Sequence, residues 1–280
     1  MTSHFVALRH GRMHYIDEGT GPVILFVHGT PTNSYEYRHL VAALSPTHRC
    51  IAPDHLGFGK SDRPRAFAYT PEAHAENLRE FVDALGLDRF TLLVHDFGGP
   101  IGLPLALSGR AERVVMMNTW AWPLDDDPKM ARGARFIGGG VGRFLYRYAN
   151  ASLRLIMPSA YGDKRKLTKE IHRRYLDVFR DRDARVLVLH ALAKSLLGSR
   201  AHYQSLLDRL GTLKQMPVLI VWGMKDSAFP PYQLERWRAL LPHAGIVQIA
   251  GAGHWPHEEE PDAVARALQV FLGDSGEHHT

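Results

Sequence analysis

The stretch Thr91-Leu-Leu-Val-His-Asp-Phe-Gly-Gly-Pro100 constrains the fold most. Its apolar run, Leu92 to Val94, has the character of a strand buried on both faces. The run stops at His95-Asp96 and two glycines follow. Ile101 to Leu107 then predicts an apolar helix, with Pro104 expected to kink it. A strand that turns this sharply into a helix lifts the residue at the turn out of the chain. Glycine is needed there because no Cβ fits between a helix and strand so close together. The lifted residue is Asp96, a carboxylate.

The other elements alternate around that turn. Phe5 to Leu8 and Met13 to Asp17, joined by Arg9-His-Gly-Arg12, predict an antiparallel hairpin. Val23 to Val27, Arg49 to Pro53, Arg113 to Asn118, Pro217 to Trp222 and Ile246 to Ile249 predict strands. Tyr35 to Leu44, Pro71 to Leu85, Pro231 to Leu241 and Pro261 to Leu272 predict helices. The second of these has Thr70 as N-cap, Pro71 at its first position and Gly86 past its end. Strand–helix alternation predicts an α/β fold with a doubly wound, mostly parallel sheet behind the antiparallel hairpin. The stretch 124–212 interrupts the pattern. It is basic, aromatic and mostly helical, with Gly138-Gly-Gly140 as an early break and Val186 to Leu189 as buried helix. It is too long for a simple crossover, so a helical cap over the carboxyl ends of the strands is expected, where such sheets bind ligands. The expected organisation is a core at 1–123 and 213–272, the cap at 124–212, and a disordered tail at 273–280.

Composition narrows the partners. A chain of 280 residues that is 45% hydrophobic can bury a large core. With 34 basic against 29 acidic residues the net charge is +5, too mild to predict a nucleic-acid partner. The basic residues gather between Lys129 and Arg185 and read as a solvated helical surface. No apolar stretch approaches the roughly 18 residues that span a bilayer, and Met1 to Phe5 has no signal-like pattern. No membrane partner and a cytoplasmic location are therefore expected. Cys50, the single cysteine, excludes an intramolecular disulfide and reads as a core residue.

Four polar motifs each follow a predicted strand: His28-Gly29-Thr30, Asp96, Asp226 and His254. They should converge on one edge of the sheet. The order nucleophile, acid, base is that of the α/β-hydrolase fold, whose G-x-S-x-G elbow carries serine where this chain has Asp96. A carboxylate is ionised at neutral pH and can attack an electrophilic carbon without a base, giving an ester. His254 would activate a water to hydrolyse that ester, and Asp226 would orient the imidazole. The backbone N–H groups of Thr30 and Phe97 would form the oxyanion hole. Asp96 could simply cap the next helix, and a lone histidine among 17 is usually structural. The coincidence of three ionisable residues at three strand ends, in order, carries the functional reading. Asp125 to Asp127 follow an earlier strand and are an alternative acid, but Asp226 follows its strand more directly. Ser108 is no nucleophile, because it lies at the far end of the helix.

Six motifs resemble the haloalkane dehalogenase and epoxide hydrolase branch of the α/β-hydrolase superfamily. They are His28-Gly-Thr-Pro-Thr-Asn-Ser34, Leu56-Gly-Phe-Gly-Lys-Ser-Asp-Arg-Pro64, His95-Asp-Phe-Gly-Gly99, Asn118-Thr-Trp-Ala-Trp-Pro123, Gly223-Met-Lys-Asp226 and Gly253-His254. The fourth and fifth are similar to the dehalogenases in particular. The resemblance implies a capped hydrolase with neither metal nor organic cofactor, acting with water on a small apolar molecule that carries an electrophilic carbon. It implies carbon–halogen hydrolysis first. Epoxide hydrolysis is the alternative, with Tyr146, Tyr148, Tyr161 and Tyr175 as candidate acids, and a non-catalytic ligand-binding homologue is the third reading. The dehalogenase pattern has Trp after the nucleophile and often Asn after His-Gly, both halide donors; this chain has Phe97 and Thr30. Phe97 has no donor, and the Thr30 hydroxyl is a partial replacement. Trp120 and Trp122 are expected as pocket walls.

Overall fold

The apolar runs form eight strands of one sheet in the order β1-β2-β4-β3-β5-β6-β7-β8. The computed structural model describes residues 1–274. The strands are β1 (Ser3–Leu8), β2 (Gly11–Glu18), β3 (Val23–Val27), β4 (Arg49–Pro53), β5 (Phe90–Asp96), β6 (Ala111–Thr119), β7 (Val218–Gly223) and β8 (Gly245–Ile249). The hairpin β1–β2 is antiparallel and joins the sheet through an antiparallel β2–β4 pair. All further pairs, from β4 to β8, are parallel. Strand order reverses at β3: the chain moves out to β4, then returns to pair β5 on β3's other side. A crevice opens between strand ends at such a reversal. Thr30 lies beyond β3 and Asp96 ends β5, one on each bank.

Both faces of the sheet are covered, which is why its central strands read as unbroken apolar runs. Leu92 and Val94 pack into one layer and Leu93 into the other, with the period of two that a strand dictates. Three helices follow the early strands: α1 (Arg38–Leu44), α2 (Pro71–Ala84) and α3 (Gly98–Leu107). Thr70 caps α2 by accepting from the Ala73 N–H. Helix α3 runs through Pro104, which has no N–H to offer the Pro100 carbonyl. His202 fills that gap, its Nε2 lying 2.8 Å from the Pro100 oxygen.

Between β6 and β7 all regular structure among the described residues is helical, from Leu124 to Gln215. Asp127 caps α4 (Pro128–Gly138) by accepting from the N–H groups of Lys129 and Met130. Extended backbone at Gly139 separates α4 from α5 (Gly140–Phe144). Three π-helical turns follow: Leu145–Ala149, Ser152–Ile156 and Arg185–His190. The last contains the Val186 to Leu189 run expected as buried helix, with Val188 and Leu189 buried. No helix among the described residues is long and apolar enough to cross a membrane. Gly273 closes the last helix, Pro261–Leu272, at φ +89°, and the Asp274 N–H donates to the Gln269 carbonyl. Residues 275–280 of the expected tail lie outside the described residues.

Candidate active site

The elbow after β5 forces Asp96 into view. Its φ is +52°, in the left-handed region that L-residues avoid. The turn is held by tight packing on three sides. A Cβ on Gly98 would collide with the Val27 carbonyl, one on Gly99 with the Thr119 hydroxyl, and one on Gly29 with the Asp96 carboxylate. The Thr119 hydroxyl also donates to the Asp96 carbonyl at 2.5 Å. Strain of this kind costs roughly 1–3 kcal/mol and persists only where the surroundings over-determine it.

The strand ends bring the rest together. The Thr30 N–H, beside the cis Thr30–Pro31 peptide, donates to Asp96 Oδ1 at 2.8 Å. His254 Nε2 lies 3.4 Å from Asp96 Oδ2. His254 Nδ1–H donates to Asp226 Oδ2 at 2.7 Å. Asp226 is fixed in turn by the N–H groups of Ala228 and Phe229, at 2.7 and 3.0 Å, and by Asn118 Nδ2 at 2.8 Å. Asn118 sits at φ +36° and also accepts from the Gly223 N–H. It thereby ties the end of β6 to the loop after β7. Its motif was legible, but its role was not. The signal was a polar residue closing an otherwise apolar strand.

Burial works against charge on His254, but Asp226 and then Asp96 outweigh it and hold the imidazole up to about 10. The two carboxylates on either side of the ring thus favour its imidazolium form. The alternative acids are elsewhere: Asp125 and Asp126 pair with Arg200, and Asp127 caps α4.

Thr30, Asp96, Phe97 and His254 line one end of a cavity of about 370 Å³. Met130, Ile137, Tyr146, Met157, Leu189 and Phe229 line it too, most of them from the helical segment. That size and apolar lining suit a small molecule. Tyr146 is the one of the four candidate tyrosines among these lining residues, and burial pushes its phenol up to about 12. Tyr148 is exposed, Tyr175 donates to Glu258, and Tyr161 stacks on Trp255. Trp120 and Trp122 require correction: they lie behind the wall and not in it. Trp120 is fully buried behind Phe97 and Phe229, with ring centroids at 4.9 and 4.8 Å. Trp122 packs on Trp237, farther from the cavity. Phe229, from the loop after β7, is buried at 4% exposure and has the lining position that the tryptophans were expected to hold.

Behind the site Glu36, His95 and His257 are fully buried, with ligand-type atoms within 4.8 Å of one another. None of them lines the cavity. Burial raises the Glu36 carboxyl, but His95 and His257 outweigh it and hold the group well below the usual carboxylate range. His95 Nε2 lies 2.8 Å from the His254 carbonyl, which steadies the backbone of that residue.

Residues 22–261 match the alpha/beta hydrolase fold family, and the chain belongs to it. Within that family it is a haloalkane dehalogenase-like hydrolase. Haloalkane dehalogenase 2 of Mycobacterium tuberculosis (strain ATCC 25618 / H37Rv) is 39% identical over 272 residues, covering 94% of this chain and 92% of that one. The cis-3-alkyl-4-alkyloxetan-2-one decarboxylase of Shewanella oneidensis is 34% identical over 284 residues, covering 97% and 88%. The crystal structure of haloalkane dehalogenase DbeA from Bradyrhizobium elkani USDA94 superposes with a TM-score of 0.87 at 25% identity, covering 98% of each chain.

Proposed function

We propose that the chain hydrolyses carbon–halogen bonds of small apolar substrates with Asp96 as nucleophile. The carrying observation is the Asp96 carboxylate itself: one oxygen on the Thr30 N–H, the other beside His254, at the floor of an apolar cavity. A free Asp96 oxygen attacks the carbon, the carbon–halogen bond breaks, and halide leaves. The ester has no charge, so His254 loses one of the two carboxylates that favour its imidazolium. It can then release its proton to solvent and act as a base. A water gives its proton to His254 Nε2 and adds to the Asp96 carbonyl carbon. The N–H groups of Thr30 and Phe97 hold the oxyanion. Collapse returns Asp96 and releases the alcohol. The helical segment 124–212 serves as the cap that keeps this cavity apolar.

Two comparisons support the chemistry class, and one observation favours a second substrate. Phe97 and Thr30 stand where side-chain halide donors are expected, and a relative at 34% identity is named for an oxetanone. A four-membered lactone keeps its leaving carboxylate tethered and needs no halide cradle. Asp96 would open the ring at the carbon–oxygen bond. Loss of carbon dioxide would then form the alkene and expel Asp96, without water. Epoxide opening is weaker, since Tyr146 is the one candidate acid in the lining.

The test pairs halide release from short bromoalkanes with carbon dioxide release from an alkyl-substituted oxetan-2-one. Halide release by the wild type and its loss in Asp96→Asn support the first reading. Carbon dioxide release alone supports the second, and full activity of Asp96→Asn overturns both.

A further inference from the structure

From 128 to 162 the chain has six Lys or Arg residues and no Asp or Glu. The same run exposes Phe136, Val141, Phe144, Tyr148 and Leu155, each at least 52% accessible. Large apolar side chains this exposed are ordinary when scattered singly. Here they are concentrated. Val141, Phe144 and Tyr148 are spaced three and four apart along α5 and the turn that continues it, which puts them on one face. Phe144 and Tyr148 contact each other, with centroids at 4.8 Å. Gly142 seats α5 against the end of α4, where a Cβ would collide with the Ile137 carbonyl, and Phe136 is exposed on that neighbouring helix.

The cations of the run are not spent on ion pairs. Lys129, Arg132, Arg135, Arg143 and Arg154 are exposed and make no salt bridge among the described residues, whereas Arg147 is paired with Asp183. Arg154 also lines a surface cleft of about 400 Å³ that is mostly basic, with Lys169, Arg173, Arg180 and Arg185 around a single acid, Asp177. Exposed aromatics flanked by unpaired arginines, in a run that itself carries no acidic residue, are what an interfacial helix presents to an anionic lipid surface.

We infer that α4, α5 and the following turn form a peripheral docking face for an anionic bilayer. The sequence excluded a spanning segment and gave no reason to expect a lipid partner; a face that lies on the interface is a different relation, carried by surface residues. It also has a geometric consequence. Helix α4 turns Met130, Gly133, Ala134 and Ile137 to the cavity and Arg132, Arg135 and Phe136 to solvent. Docking would lay the outer side of that cavity wall on the lipid, where apolar substrates concentrate. This last consequence rests on the proposed reaction; the docking itself does not.

The test is co-sedimentation with vesicles of phosphatidylcholine alone and of phosphatidylcholine mixed with phosphatidylserine. Binding is expected to the mixed vesicles only, and to fall as salt shortens the Debye length. Arg132→Glu and Arg135→Glu are each expected to weaken partitioning by at least about fivefold, since one cation near such a surface is worth about that much. Phe144→Ser is expected to abolish it with the melting temperature unchanged. None of the three positions lines the cavity, so turnover of a water-soluble substrate should be unaffected. Absence of binding to anionic vesicles, or equal binding by the variants, overturns the inference. So does a wild-type dimer that Phe144→Ser converts to monomer, which would make a second copy of the chain the occupant.

Discussion

Replacing Asp226 by Asn keeps the shape of the site and removes one charge, and the consequences can be worked from the structure. Asp226 takes Nδ1–H of His254 on one oxygen and two backbone N–H groups on the other. An asparagine whose oxygen faces those backbone groups turns its NH2 toward His254. The imidazole must then accept at Nδ1 and carry its proton on Nε2, the nitrogen that should take a proton from water. In the wild type the imidazole is held up from its ordinary 6.5 to about 10, a difference worth roughly 5 kcal/mol at 1.36 kcal/mol per pH unit. Asp226 is the larger of the two carboxylate contributions, and breaking such a buried pair costs roughly 3–5 kcal/mol. The sign follows from linkage. A group whose pKa is raised by folding stabilises the fold fully below about 6.5, and the stabilisation is lost as pH climbs through about 10. Urea unfolding of wild type and Asp226→Asn at several pH values should show the gap largest near pH 6 and closing by most of that amount toward pH 10. Titration of the His254 ring by NMR should find it charged at pH 8 in the wild type and neutral in the variant. A stability gap that stays flat over this range, or a neutral wild-type His254 at pH 8, refutes the reasoning.

Three further predictions concern the elbow, helix α4 and the leaving group. Gly99→Ala places a methyl against the Thr119 hydroxyl and should cost about 1–3 kcal/mol in urea unfolding. Gly133→Ala, helical with open space around it, should instead raise stability by about 0.5–1 kcal/mol. Phe97→Trp adds an indole N–H beside Asp96 and is expected to raise kcat/KM for bromoalkanes by about tenfold, the worth of one hydrogen bond to a developing anion. It should also lower stability modestly, because Phe97 packs edge-on against Trp120. Unchanged halide release in a folded Phe97→Trp variant would show that the leaving group is not limited by a missing donor.

The sheet was legible because strands covered on both faces leave continuous apolar runs, and the polar residues that end them mark one edge. Asp96, Asp226 and His254 could be singled out on that basis, and the geometry places them within reach of one another. Other features depend on packing between distant segments. The apolar character of Trp120 and Trp122 was evident, but not which layer each would occupy; Phe229, from a loop about a hundred residues later, covers Trp120. Asn118 reads as the last residue of a strand until its side chain is seen bridging to Asp226. Glu36, His95 and His257 share no spacing that would suggest a common site; the 3₁₀ turn Ser34–Tyr37, strand β5 and the short helix Pro256–Glu259 bring them together. Among the tyrosines, helical periodicity puts Tyr146 and Tyr148 on opposite sides but does not say which side meets the cavity; packing of the turn against its neighbours decides it.

The central claim is that Asp96 forms a covalent ester that His254 hydrolyses. It is tested most directly with His254→Gln, incubated with a short bromoalkane and digested for mass spectrometry. The account predicts one equivalent of halide per chain, then a stop, with the alkyl group on the peptide that contains Asp96. An unmodified Asp96 in a folded variant that releases one equivalent of halide or more would contradict it.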